Sequence, residues 1–147
     1  MSHEKILVLD FGGQYNQLIA RRVRDHHVYA EIISYETPLE AIKAAGYKGI
    51  IFTGGPNSVY DMTSPHYDKA ILDFGIPVLG ICYGCQLISW MSGGKVESCK
   101  KSEYGKIEIT VSAESKLFKD VPDKNIVWMS QTAYLREAAG GVVISSH

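Results

Sequence analysis

Hydrophobic positions along the chain fall into short runs separated by glycine, proline and polar clusters, and the runs alternate with segments of helical spacing. Lys5 to Asp10 is an apolar run that ends in Phe11-Gly12-Gly13, with Leu18, Ile19, Arg22, Val23 and His26 following at intervals of a helix face. This reads as strand, tight turn, helix. The pattern recurs: Tyr29 to Ser34 is predicted as a strand, then Pro38 to Ala45 as a short helix with Thr37 as N-cap and Gly46 closing it. Gly49 to Thr53 is a third strand and runs into Gly54-Gly55-Pro56. Ser64-Pro65 predicts a helix start, with Ser as cap and Pro in the first turn, continuing through Tyr67, Ile71 and Leu72 to Gly75. Pro77 to Ile81 is a fourth strand, and Gly84 to Met91 a helix stopped by Gly93-Gly94.

Strands that are apolar on both faces and alternate with helices predict an α/β fold: a mostly parallel open sheet with helices on each side, joined by right-handed crossovers. In such a fold the loops at the C-terminal ends of the strands collect the functional groups. After Gly94 the rhythm changes. Ile107, Ile109 and Val111 alternate with Lys106, Glu108 and Thr110, which predicts an antiparallel extension over Tyr104 to Val111, and Ile126 to Met129 and Val142 to Ser145 read as further short strands.

At 147 residues the chain is the size of one domain, read here as spanning 1–147. A formal net charge of −1 leaves no surplus of Lys and Arg to neutralise a phosphate backbone, so nucleic acid is not the expected partner. The longest apolar runs, Ile6 to Leu9 and Ile76 to Cys82, fall far short of the roughly 20 residues of a membrane span. No signal-peptide layout opens the chain, and a cytoplasmic protein is expected. An odd set of three cysteines, Cys82, Cys85 and Cys99, does not make a disulfide framework and predicts reduced thiols.

The stretch VLGICYGCQ (Val78 to Gln86) holds the candidate chemistry. Its Cys-x-x-Cys spacing would suit a redox pair or half of a zinc site. Zinc needs four ligands, and Cys99 with five scattered histidines (His3, His26, His27, His66, His147) offers no second pair at ligand spacing, so no metal site is expected. The redox reading explains neither Gly80 and Gly84 nor Gln86. Gly80-Ile81-Cys82-Tyr83-Gly84 is the thiol counterpart of a nucleophile elbow, a sharp strand-to-helix turn that lifts the nucleophile above the sheet. Cys82 would then sit at a helix N-terminus, where unpaired N–H groups favour the thiolate. The Tyr83 N–H supplies one donor for an oxyanion, and Gly54-Gly55 at a neighbouring strand end supplies flexible backbone for a second. Taken alone, Cys82 would read as a small buried core residue, as Cys85 is expected to be. The glycines, the preceding strand and the Gly-Gly-Pro favour the nucleophile.

Five collinear blocks then carry a resemblance: VLDFGGQYNQLIARRVRD (Val8 to Asp25), FTGGPNSVYD (Phe52 to Asp61), VLGICYGCQLI (Val78 to Ile88), EYGKIEI (Glu103 to Ile109) and VWMS (Val127 to Ser130). The chain resembles the class I (triad-type) glutamine amidotransferases, and within them the amidotransferase domains of glutamine-hydrolysing GMP synthases. The resemblance implies Cys82 as the nucleophile that attacks the side-chain amide of glutamine, with the Tyr83 and Gly55 N–H groups as oxyanion hole. It implies Gln86, Gly54 and Ser130 as substrate contacts. It also implies an ATP-dependent synthetase domain or subunit as partner, which aminates XMP to GMP with the released ammonia. ATP and Mg²⁺ would belong to that partner, and no cofactor is expected on this chain.

The sequence departs from the family pattern in two places. The family carries its catalytic His and Glu in an H-P-E motif; residues 1–147 contain none, and His147 follows the segment Val142 to Ser145 too closely to be that histidine. After VWMS the family has His-x-Asp, where this chain has Gln131-Thr132-Ala133. General acid–base assistance contributes typically ~10²–10⁴-fold, so the expectation is an N-terminal part of an amidotransferase domain that is weak or inactive alone. Sheet edges exposed in such a fragment would favour self-association. Two other functions fit the same residues: a non-catalytic regulatory or interaction module of this fold, and a cysteine peptidase-like relative built on the same elbow. Elsewhere, Asp10 is expected to hydrogen-bond within the turn at Phe11-Gly12, Arg21, Arg22 and Arg24 to form a solvated face, and Trp90 and Met91 to serve helix packing rather than a ligand box.

Overall fold

The computed structural model describes residues 4–55, 66–73, 75–81, 83–91, 93, 95–110, 119–122 and 124–137. The predicted start at Ser64-Pro65, the strand at Val142 to Ser145, and positions Gly94 and Val111 lie outside the described residues. Strand β1 (Lys5–Asp10) leads into helix α1 (Asn16–Asp25), β2 (Tyr29–Ser34), α2 (Leu39–Ala45), β3 (Gly49–Phe52), a short 3-10 turn (Lys69–Leu72), β4 (Val78–Gly80), α3 (Tyr83–Met91), β5 (Lys95–Thr110) and β6 (Lys124–Glu137). The first four strands form one parallel sheet in the order β2-β1-β3-β4.

Period-2 alternation decides which residues meet which helix. Leu7 and Leu9 of β1 join Ile50 and Phe52 of β3, Ile42 of α2 and Leu87, Ile88 and Met91 of α3 in the larger core cluster, whereas Val8 points the other way to Ala20 of α1 and Ala30 of β2. So α1 covers one face of the sheet and α2 and α3 the other. Leu7, Val8 and Leu9 are all fully buried, which is why β1 reads as an uninterrupted apolar run. Burying each such side chain stabilises the fold by about 1.5–3 kcal/mol.

Two predicted helix starts are corrected. Helix α2 has Pro38 rather than Thr37 as its N-cap, with no side-chain capping bond, because Pro38 is extended (ψ 145) and supplies the carbonyl that the Ala41 and Ile42 amides meet. Its close is as expected: Gly46 is left-handed at φ 72. The helix expected from Ser64 onward is, over residues 66–73, only the 3-10 turn at Lys69–Leu72, whose Ala70 N–H bonds the Asp68 carboxylate at 2.9 Å. An Asp that caps its own local turn competes with a longer helix.

The period-2 region is antiparallel as expected but much longer, since β5 and β6 form one extended ribbon. Ser98 pairs with Ala133 and Glu103 with Gln131, so residues 99 to 102 of β5 stand opposite Thr132 alone, a wide bulge. Helix α3 bridges the two sheets, touching β3 and β4 on one side and β5 and β6 on the other. Among the described residues no helix is long and apolar enough to cross a membrane.

Candidate active site at the strand C-termini

The ends of β1, β3 and β4 converge, and the chain on either side of Cys82 hangs from the end of β3. The Ile81 N–H donates to the Phe52 carbonyl at 2.9 Å, and the Gly84 N–H donates to the next carbonyl, Thr53, also at 2.9 Å. Cys82 itself lies outside the described residues. Its flanking glycines answer to space rather than to backbone conformation, since neither has a positive φ. A side chain on Gly80 would come within 2.6 Å of the Cys85 nitrogen, and one on Gly84 would strike the Phe52 carbonyl oxygen. Strand and helix therefore approach too closely for any Cβ, which is the geometry the elbow reading predicts.

The loop after β3 is held from both sides. Thr53, fully buried, donates its hydroxyl to the Leu9 carbonyl of β1 at 3.0 Å. On the other side Gly55 lies against the Tyr83 ring, where an added Cβ would sit 2.7 Å from Cδ1. Tyr83 is the first residue of α3, 3% exposed, and its ring tilts against Phe11 at 5.9 Å between centroids. Gly55 and Tyr83 are thus packed directly against each other.

Asp10 behaves as the sequence predicts. One carboxylate oxygen accepts the Gly12 N–H at 2.7 Å and the Asn16 side-chain amide at 2.6 Å, and that amide also donates to the Gly13 carbonyl at 3.2 Å. Asn16 is buried at the first position of α1.

Gln86 is half-buried on α3, four residues after Cys82, and its Oε1 is buried with no hydrogen-bond partner among the described residues. A carbonyl in that state costs free energy until a donor arrives. Ser130 lies on β6 opposite Tyr104, in the two-stranded ribbon that α3 also contacts, and its side chain is outside the described set. Cys85 is a buried thiol, as expected of a packing residue, and Met91 is buried. Trp90 packs at the surface: it is 38% exposed and stacks on His66 at 4.6 Å between ring centroids. Among the described residues no three His, Cys, Asp or Glu side chains gather as metal ligands. Sequence reasoning passes over Thr53 and Gly13 as parts of this loop assembly; the doubled glycine at 12–13 is the available signal.

The class-I glutamine amidotransferase family model matches residues 7–147. The chain belongs to that family. Glutamine-hydrolysing GMP synthases are similar to this amidotransferase chain along its whole length: that of Agathobacter rectalis is 54% identical over 147 residues, 100% of the chain and 28% of the relative, and that of Ruminiclostridium cellulolyticum 58% identical over 135 residues, 92% and 26%. The chain thus spans little more than a quarter of the length of these curated relatives. Among solved amidotransferase-like structures, a candidate GMP synthase subunit from Thermoplasma acidophilum superposes with a TM-score of 0.77 at 26% identity, covering 95% of this chain and 70% of the other. A glutamine amidotransferase from Thermotoga maritima shares the fold, with a TM-score of 0.66 at 22% identity over 92% of this chain and 63% of its own.

Proposed function

We propose that this chain is the glutamine-hydrolysing part of a GMP synthase. The Cys82 thiolate attacks the side-chain amide carbon of glutamine, forming a C–S bond and a tetrahedral oxyanion. The C–N bond then breaks as the proton given up by the Cys82 thiol is delivered to the departing nitrogen, ammonia leaves, and a glutamyl thioester remains on Cys82. Water adds to the thioester, glutamate departs and the thiol is regenerated. The Tyr83 and Gly55 N–H groups stabilise the oxyanion, Gln86, Gly54 and Ser130 hold the substrate, and the ammonia passes to an ATP- and Mg²⁺-dependent synthetase domain or subunit that aminates XMP.

The single observation that carries this reading is the attachment of residues 81 and 84 to the consecutive carbonyls of Phe52 and Thr53, beside Gly55 packed on Tyr83. It supports two main-chain donors flanking one thiol. The buried Oε1 of Gln86, without a partner among the described residues, supports a substrate contact one helical turn further on. The testing experiment is alkylation by a glutamine-mimicking chloroketone. Stoichiometric labelling of Cys82, blocked by glutamine and absent from Cys82→Ala, is expected; labelling by general electrophiles with no glutamine protection would point to a peptidase-like relative, and an intact fold with no labelling to a non-catalytic module.

A further inference from the structure

Gly55 meets the Tyr83 ring face-on. A Cβ on Gly55 would lie 2.7 Å from both Cγ and Cδ1 of the ring and 3.2 Å from Cδ2. A point that near to three adjoining ring atoms at once stands above the ring plane, not beyond its edge, so the ring is a flat wall beneath the Gly55 backbone. Gly55 has no positive φ, and a side chain there is excluded by that wall rather than by the conformation of the chain. Its neighbour differs: a Cβ on Gly54 would meet nothing within 4 Å among the described residues. The ring belongs to a connected aromatic group. Phe11, against which it tilts, also meets Phe52 edge-on at 5.2 Å between centroids and stacks on Tyr35 at 6.0 Å, and Phe11, Phe52 and Tyr83 are all buried.

We propose that the side chain of Tyr83 is a positioning group for the oxyanion hole: its ring face limits where the Gly55 backbone can lie, while its own main chain opens α3. The proposal rests on the reading of the Tyr83 and Gly55 N–H groups as the two oxyanion donors. One residue then governs both. It carries one donor in its backbone and supports the residue that carries the other. Without the ring, Gly55, the residue type with the most backbone freedom to lose, has no surface to confine it on that side. The ring touches no substrate in this scheme; it sets the spacing between two stretches of main chain.

The test compares two reagents on the protein that carries this chain. A glutamine chloroketone develops an oxyanion as the thiolate adds to its carbonyl, whereas iodoacetamide alkylates the thiolate by direct displacement and develops none. Tyr83→Leu, which keeps apolar bulk but has no flat face, is expected to slow chloroketone labelling of Cys82 about 10- to 100-fold, at or below the cost of removing one such donor outright, with the iodoacetamide rate within about twofold of the parent. Tyr83→Phe, which keeps the ring, is expected to restore most of the chloroketone rate. Phe11→Leu removes only the neighbouring ring; it is expected to give a smaller selective slowing and decides the matter should Tyr83→Leu not fold. A chloroketone rate equal to the parent's in the deciding variant, parallel slowing of both reagents, or Tyr83→Phe as slow as Tyr83→Leu would overturn the proposal. Failure of the parent itself to react with the chloroketone would instead overturn the functional reading beneath it.

Discussion

The Gly84 amide donates to the Thr53 carbonyl oxygen across 2.9 Å, joining the first turn of α3 to the loop that follows β3. The same amide lies 3.0 Å from the Ile81 carbonyl, so one N–H both starts the helix and fastens it to the sheet. A methyl group on Gly84 would meet the Phe52 carbonyl, which is already fixed by the Ile81 N–H. Neither partner is the end of a flexible side chain. Gly84→Ala is therefore expected to destabilise the fold by about 1–3 kcal/mol, read as a lower urea midpoint at unchanged slope. A midpoint equal to the parent's would show that the helix can shift without loss.

Gln86 separates stability from binding. Its Oε1 is buried and has no partner among the described residues, so replacing the amide by a thioether of similar size removes a desolvated acceptor at little packing cost. Gln86→Met is expected to keep or slightly raise the urea midpoint while weakening glutamine protection of Cys82 roughly tenfold, the loss of about one hydrogen bond. Unchanged protection would remove Gln86 from the substrate site.

Leu87 is fully buried in the larger core cluster, while Leu18 on α1 is 48% exposed. Leu87→Ala should cost about 2–5 kcal/mol, and Leu18→Ala well under ~1 kcal/mol. Chemical denaturation of the two variants checks the contrast, and similar losses would contradict the assignment of α3 to the core face.

Tyr47 is buried, and its hydroxyl donates to Glu31 at 2.5 Å. Burial first, then the hydrogen bond to the Glu31 carboxylate and its charge, push the phenol well above its ordinary value of about 10. Tyr67 moves the same way, through burial and the nearby Asp68. A phenol whose folded-state value is raised contributes stability that is complete below about pH 10 and is lost as pH climbs beyond it, because the unfolded chain releases the proton first. Unfolding midpoints measured from about pH 8 to 11.5 should fall above about pH 10, and Tyr47→Phe should fall less steeply than the parent.

The parallel sheet was legible because its strands are short apolar runs with glycine or proline at their ends. β1 and β2 match their sequence-derived boundaries, and β4 and α3 differ only at their ends. The features that were not legible depend on pairings the local pattern does not encode. The 3-10 turn at Lys69–Leu72 has the apolar spacing of a helix but the Asp68 carboxylate as a competing local acceptor. The length of β5 and β6 comes from cross-strand pairing that resumes on the far side of a break at residues 99 to 102, a stretch with no strand alternation of its own. At the candidate site, Gly80, Gly84 and Gly55 could be picked out as neighbours of Cys82 in motif order. The close approach of Gly13 to Gly54 could not, because Gly54 lies far along the chain and reaches the turn after β1 only once β3 is paired beside it.

The order β2-β1-β3-β4 also has a consequence during synthesis. The first strand emerges from the ribosome long before the third and fourth can flank it, and the main-chain ties on either side of residue 82 form only once the turn between β4 and α3 has docked on the end of β3. A nascent or partly opened molecule has the cysteine but not the surrounding donors. On the proposed function, amide cleavage is thereby reserved for chains whose central sheet has already closed, and a stray thiol on an immature polypeptide has no means to waste the cell's glutamine.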